Sequence, residues 1–303
     1  MLEIKKYMDI IRYGKRGTED VLKQGDMITI TEKLDFANAS FRVDNTNELG
    51  VSCYSRNIAL DKSNTLGGFY EWVKDNIIPI KNKLNPNYIY FGEWSGVKHK
   101  VLYKDEIYNR FWTFSIYDII KEEYLSDEIV LSECKRLGLD HVPYFYTGKF
   151  ISYEHMIDFV GKSELTKETN TGEGIVIKNV NYRDRFGNQC FVKIVSDKFA
   201  EFQNKKPKSK KESKELLVIS SVLTKPRVEK ILYKMIDDNE INSDYGIEDM
   251  GNILKIISPK VYCDIIKEES DLFAGFDEKE IKKIIFKKTP VIVKEIMKEQ
   301  NRI

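Results

Sequence analysis

The stretch ITEKLDFANASFR, residues 30–42, leaves an apolar run through Glu32 and Lys33, passes a small-polar segment and returns to apolar residues. It reads as strand, turn, strand, with a lysine at the first corner. Such a lysine is ordinarily a solvated charge. It becomes a nucleophile only when unprotonated, against a reference pKa of about 10.4. Burial or a neighbouring cation would favour the free amine. The reading of Lys33 therefore depends on the rest of the chain.

Working outward, further charged residues sit at the ends of strand-like runs. Arg56 lies in CYSRN, Glu93 in YFGEWSG, and Tyr117 and Asp118 close FWTFSIYDI. Glu173 opens GEGIVIK between glycines that let backbone approach a ligand, and Lys193 lies in CFVKIVSDKF. Taken singly, each has an ordinary surface explanation. GGFYEWVKDNIIPI interrupts the strands, with Phe69, Trp72, Val73 and Ile77 at helical spacing and Pro79 as a stop. Strands with interspersed helices and no regular βαβ alternation predict an α+β fold with largely antiparallel sheets.

The ordered set resembles the covalent nucleotidyltransferases, the polynucleotide ligases and RNA capping enzymes. Within them it is most similar to the RNA ligase 2 group, which seals RNA ends with ATP. EKLDFANASF resembles the nucleotidyl motif, SRN the next, FGEWSG the third, and FWTFSIYDI the aromatic-Asp strand after it. EGIVIK resembles the fourth motif and FVKIVSDKFAE the fifth, ending on Glu201. The resemblance implies a ligase adenylation domain over residues 1–203, a basic linker over 204–215 and a small all-helical C-terminal domain over 216–303. It implies an ATP-dependent RNA ligase using Mg²⁺, with Mn²⁺ as a substitute, and working by way of lysyl-AMP and RNA-adenylate intermediates.

The same resemblance implies roles. Lys33 is the nucleophile, and Lys193 contacts the α-phosphate while its charge depresses the Lys33 pKa. Glu93, Glu173 and Asp118 are the metal ligands. Tyr117 stacks on adenine, Arg56 holds a phosphate or ribose, and Glu32, Asn38 and Lys178 complete the nucleotide pocket. Two positions depart from the pattern. Phe36 stands where the group usually has glycine, so either the turn is rebuilt or the ring packs outside the pocket. Val195 stands where the fifth motif commonly has a second lysine, leaving Lys193 alone unless Lys198 or the NKKPKSKK arm lends charge.

Beyond the lysine-rich QNKKPKSKKESKE the pattern turns helical. Thr224 caps a helix with Pro226 in its first turn and Val228, Ile231, Leu232 and Met235 along one face. IEDMGNILKII and DEKEIKKIIFKK predict two more, and PVIVKEIMKEQ a last one starting at Pro290. Lys225, Arg227, Lys230 and Lys234 near one helix start are candidate phosphate contacts. The net charge of +1 excludes a uniformly basic protein, so any nucleic-acid surface must come from local lysine clusters. Four scattered cysteines and three histidines exclude a zinc motif and fit a reducing compartment. With no signal-like start and no long apolar run, the expectation is a cytoplasmic monomer away from membranes, acting on RNA ends, chiefly nicks in duplex RNA. The competing readings are a GTP-using capping enzyme and a catalytically weak RNA end-binding protein.

Overall fold

The computed structural model describes residues 3–15, 17–199 and 214–302. Glu201 and most of the lysine-rich stretch lie outside the described residues. The chain divides into two units, Met1–Ser196 and Asp197–Ile303.

The first unit is built on two sheets. One has strand order β1 (Ile11–Arg12), β11 (Val192–Val195), β10 (Gly174–Lys178), β2 (Met27–Lys33), β9 (Tyr144–Lys149). The other runs β4 (Val51–Ser55), β3 (Ala37–Val43), β5 (Tyr88–Trp94), β6 (Phe111–Asp118), β7 (Glu123–Tyr124), with β8 (Asp140–His141) also on β6. All pairings are antiparallel except β1 with β11 and β6 with β8. This is the α+β, antiparallel-sheet architecture expected of the sequence. Helix α1 (Phe69–Asn76) stops before Pro79, as its spacing predicts, and α2 (Asp127–Leu137) and α3 (Tyr153–Ile157) complete the unit.

Strand alternation assigns the faces. Ile28, Ile30, Ile175, Ile177 and Val192 share one face of the first sheet and pack with Val21, Leu22 and Met156. Ala37, Ala39, Phe41, Tyr90, Trp94, Phe111 and Ile116 of the second sheet pack on α1 and α2 through Phe69, Val73, Val130 and Cys134. The remaining faces look toward each other. An aromatic cluster of Tyr7, Phe91, Tyr117, Tyr124 and Phe191 fills part of that space. The turn Leu34–Phe36 carries the chain from β2 into β3, so Lys33 ends one strand just before the next begins at Ala37 and Asn38.

Phe36 shows how this turn manages without the glycine. Among the described residues Phe36 has no positive φ. Its ring is 6% exposed and packs on Tyr103 at 4.3 Å and Tyr108 at 6.0 Å. Both sequence alternatives hold together: the turn is rebuilt and the ring is tucked into an aromatic pocket.

The second unit is helical over its described residues, from α4 (Lys214–Val222) through α5 (Lys225–Asp237) and α6 (Met250–Glu269) to α7 (Glu278–Glu299). Thr224 caps α5 by accepting the Arg227 N–H, and Val228, Ile231, Leu232 and Met235 are buried. Pro290 does not start a new helix. It lies inside α7, where the sequence pattern suggested a break, and Thr289 satisfies the Ile285 carbonyl through its hydroxyl at 2.8 Å. A proline removes one donor, but the buried face of Ile285, Val293 and Ile296 keeps the helix continuous.

The expected phosphate cluster on α5 does not survive packing. Arg227 is fully buried and bonds Asp264 at 2.9 Å and Glu269 at 2.9 Å. Breaking such a buried pair costs about 3–5 kcal/mol, so Arg227 holds the unit together. Lys225 pairs with Glu299, and Lys230 lies 3.7 Å from Glu268. A basic face exists instead on α7. Lys279, Lys283, Lys287, Lys294 and Lys298 are all exposed and, at 100° per residue, fall within an arc of roughly 100°. No described helix is long and apolar enough to cross a membrane.

Candidate active site

Lys33 and Gly174 are register partners in the β2–β10 pairing, which places Glu173 beside the lysine. Gly174 is needed there, because an added Cβ would stand 2.3 Å from the Ile194 carbonyl oxygen and 2.7 Å from the Val195 Cα. The Lys33 Nζ donates to Glu173 Oε2 at 2.6 Å, with side-chain exposures of 24% and 14%. The pair is therefore neither solvated nor sealed.

Other charges converge on it. Lys193 shares the Lys33 face, through its pairing with Val176, and acts on the Glu173 carboxyl. Glu93 is opposite Asn38 across β3 and β5, and its charge is felt at Lys33. Asp35 accepts the Lys100 N–H at 2.9 Å and the Val101 N–H at 3.0 Å, with His99 Nδ1 at 3.3 Å. Burial works against its charge, but His99, Lys33 and the Val101 N–H outweigh it and hold the Asp35 pKa down.

This environment reverses one expectation. Desolvation does pull the Lys33 pKa down, but Glu173, by charge and hydrogen bond, with Glu93 and Asp35 adding, carries the net shift upward. Burial likewise raises the Glu173 carboxyl, against the pull of Lys33 and Lys193. Both shifts keep a proton within the pair. The net effect on Lys33 is upward, and the carboxylates dominate it.

Lys33, Lys193, Glu93, Glu173 and Asn38 thus come together. The other sequence candidates are placed differently. Glu32 is on the opposite face of β2 from Lys33, beside Ile28 and Ile30, because side chains alternate. Asp118 lies on the far face of β6 and about 20 Å along the strand from the Glu93 partner Trp112. It accepts the N–H groups of Ile120 and Lys121, capping a turn, so it does not join Glu93 and Glu173 as a metal ligand in this structure. Lys178 is buried, donating to Asp127 Oδ1 at 2.8 Å and to the Phe114 carbonyl. Arg56 bonds Asp9 at 2.6 Å. Tyr117 is 9% exposed, edge-on to Tyr124 at 5.0 Å, with Lys5 4.4 Å over its ring.

Two participants escaped sequence reading. Asp35 carried a usable signal, a carboxylate two residues after the lysine. Strand β1 carried none, since two residues are too few to show a period.

The donor set can be tested against a divalent cation. Glu93 and Glu173 offer hard carboxylate oxygens, but no cluster of three or more ligating side chains exists among the described residues. That suits a cation such as Mg²⁺, which keeps waters and takes substrate phosphate oxygens beside one or two carboxylates.

Glu32 yields a prediction of its own. Both of its carboxylate oxygens are buried without a hydrogen bond of ordinary geometry, though Ser163 lies close enough to oppose the effect of burial. Burial pushes its pKa up to about 7. At pH values below the ordinary glutamate range, folded and unfolded chains both carry the proton and nothing is lost. As pH rises toward 7 the unfolded chain ionises first, and the folded state loses about 1–3 kcal/mol. Chemical denaturation of Glu32→Gln should therefore show a stability gain at about pH 8 that vanishes near pH 4. A gain independent of pH would contradict this placement.

A family model described as RNA ligase matches residues 26–195, more than half of the chain. Solved structures of Naegleria gruberi RNA ligase are similar to this chain. A mutant form with ATP and Mn is 20% identical, with a TM-score of 0.50, and the match covers 65% of this chain and 57% of that one. The form with PPi is 21% identical, with a TM-score of 0.48 and the same coverages. This chain thus spans under two thirds of the length of those structures, and the likeness at a TM-score of 0.50 is one of fold. No curated protein matches.

Proposed function

Because the chain belongs to the RNA ligase family, we propose that it joins RNA 3′-hydroxyl and 5′-phosphate ends using ATP, by way of an adenylate on Lys33. The observation that carries this reading is the Lys33–Glu173 pair at 2.6 Å, with Lys193, Glu93 and Asn38 around it. The Naegleria gruberi enzyme was solved with ATP and Mn, with AMP and Mn, and with PPi, which supports the choice of nucleotide and cation class.

Each step is a displacement at phosphorus, where positioning and charge neutralisation do most of the work. The Lys33 ammonium first passes its proton to Glu173 or to solvent, the free Nζ gives its lone pair to the α-phosphorus, and the second proton it then loses goes to solvent. The N–P bond forms as the bond to the bridging oxygen breaks, and the electron pair leaves with pyrophosphate. Lys193 donates to an α-phosphate oxygen as charge builds there. The RNA 5′-phosphate oxygen then attacks the same phosphorus, and the N–P pair returns to Lys33. Finally the 3′-hydroxyl attacks the 5′-phosphorus and AMP departs. When bound, Mg²⁺ or Mn²⁺ would supply positive charge between Glu93, Glu173 and the phosphates. Such a charge would weaken the hold of Glu173 on Lys33, opposing the upward pKa shift. Tyr117 receives adenine only if Lys5 leaves its ring. The lysine face of α7 gives the second unit a sequence-independent grip on phosphates, expected to weaken with salt.

Nicked duplex RNA is the substrate this reading favours. With wild-type protein, ATP and Mg²⁺, a nicked RNA duplex with a 5′-phosphate should be sealed, and the same nick lacking the phosphate should not. Tight binding of the nick without any sealed product, with each nucleotide in turn, would instead support an end-binding protein. Labelling by GTP in place of ATP would support a capping enzyme.

A further inference from the structure

The cluster around Lys33 holds more acid than base. Glu173 at 2.6 Å and Glu93 and Asp35 by charge act on Lys33, with Lys193 as the other lysine and His99 held against Asp35. A nucleotide triphosphate is itself a polyanion, so another fixed positive charge on this face would favour its entry. Strand β11 does not supply one: Val195, two residues beyond Lys193 on the same face, is apolar.

The N-terminal segment, outside the matched 26–195, brings a cation to that place. Strand β1 pairs in parallel with β11, and Arg12 is the register partner of Lys193. Register partners share a face, so Arg12, Lys193, Val176 and Thr31 form one row across four strands on the Lys33 side. Adjacent strands lie about 4.8 Å apart, so Arg12 flanks Lys193 at that distance. The position is fixed from both ends. The Ile11 N–H donates to the Phe191 carbonyl at 3.2 Å and the Tyr13 N–H to that of Lys193 at 2.9 Å. Upstream, Tyr7 is 4% exposed and packs on Phe114 at 4.7 Å and Tyr124 at 4.9 Å. Its neighbours Ile11 and Tyr13 point to the other face, where Tyr13 packs against the isoleucine core.

We infer that Arg12 is a phosphate-binding residue of the adenylylation step, donating beside Lys193 to the nucleotide's phosphate oxygens. A guanidinium suits this task, since its paired N–H groups match phosphate geometry and it stays charged at any working pH. The inference rests on the reading of Lys33 as the adenylylated residue.

The test measures the initial rate of adenylylation with α-labelled ATP and Mg²⁺, as a function of ATP concentration. The proteins are the wild type, Arg12→Ala, Arg12→Lys, and Arg12→Ala combined with Val195→Lys, with thermal midpoints recorded for each. Arg12→Ala should lower kcat/KM on the order of 10- to 100-fold. Arg12→Lys should recover part of that. Val195→Lys should also recover at least about tenfold, because it returns a cation to the same face beside Lys193. Unchanged kcat/KM in Arg12→Ala, with a wild type that labels, would overturn the inference alone. So would a loss that neither lysine restores, which would mean damage to the edge strand. A wild type that takes no label from ATP would remove the reading of Lys33 and this inference together.

Discussion

Lys33→Ala protein should seal no ordinary nick, with a loss of at least about 10³-fold, because no other amine can take the adenylate. The same variant should still join RNA whose 5′-phosphate already carries AMP, within about tenfold of wild type. The asymmetry follows from the proposed chemistry. Lys33 forms and breaks the N–P bond in the first two displacements, whereas the third occurs between the two RNA ends. Glu93, Glu173 and Lys193 remain around the phosphates when the amine is gone. Sealing assays on the two substrates measure both arms. Equal loss on both would mean that Lys33 organises the site without being the nucleophile.

Glu173→Gln should lower the adenylylation rate by about 10²-fold and move the rising limb of its pH profile to lower pH. In the wild-type chain Glu173 holds the Lys33 proton by charge and by the 2.6 Å bond, so its pKa is raised in spite of burial. Without a bound cation the ammonium form of Lys33 therefore persists to higher pH than that of an ordinary lysine. Glutamine keeps the shape and a hydrogen bond but removes the charge, and desolvation then pulls Lys33 down. A profile that stays in place, or moves to higher pH, would show that Glu173 does not control the lysine. Rate measurements at saturating ATP across neutral to alkaline pH distinguish these outcomes.

Much of the fold was legible where sequence patterns are long. The seven-residue β5 and eight-residue β6 carry aromatic and β-branched runs, and Thr224 with Pro226 marks the start of α5. Pro290 misled because a proline penalty of about 3 kcal/mol is smaller than what a buried apolar helix face contributes. The site was legible in part, for the same physical reason. Lys33, Glu93 and Lys193 converge because strand period puts them on facing sheet surfaces, and Glu173 reaches Lys33 from just before β10, beside the register partner Gly174. Glu32 is misplaced by that same period, one residue out of phase. Asp118 and Lys178 were read from their motif positions, and partners in space took them: a turn for one, the Asp127 carboxylate for the other. Arg227 looked basic and exposed on a helix start, yet three acidic residues of α6 enclose it. Such long-range pairings leave no local trace in a sequence.

The charge on Lys33 links the site's geometry to its use. A lysine bonded to Glu173, with Glu93 and Asp35 adding charge, is a poor nucleophile at rest, which would limit adenylate formation to the moment when a cation competes for the carboxylates and substrate phosphates face the lysines. Arg12 and Lys193 would then face the incoming phosphates while the acids are occupied.

The most direct measurement is peptide mapping by mass spectrometry of wild-type protein after incubation with ATP and Mg²⁺. One adenylyl group on Lys33, absent when ATP is omitted, is the predicted result. An adenylyl group on any other residue, or an unmodified chain under conditions where nicked RNA is sealed, would contradict the account.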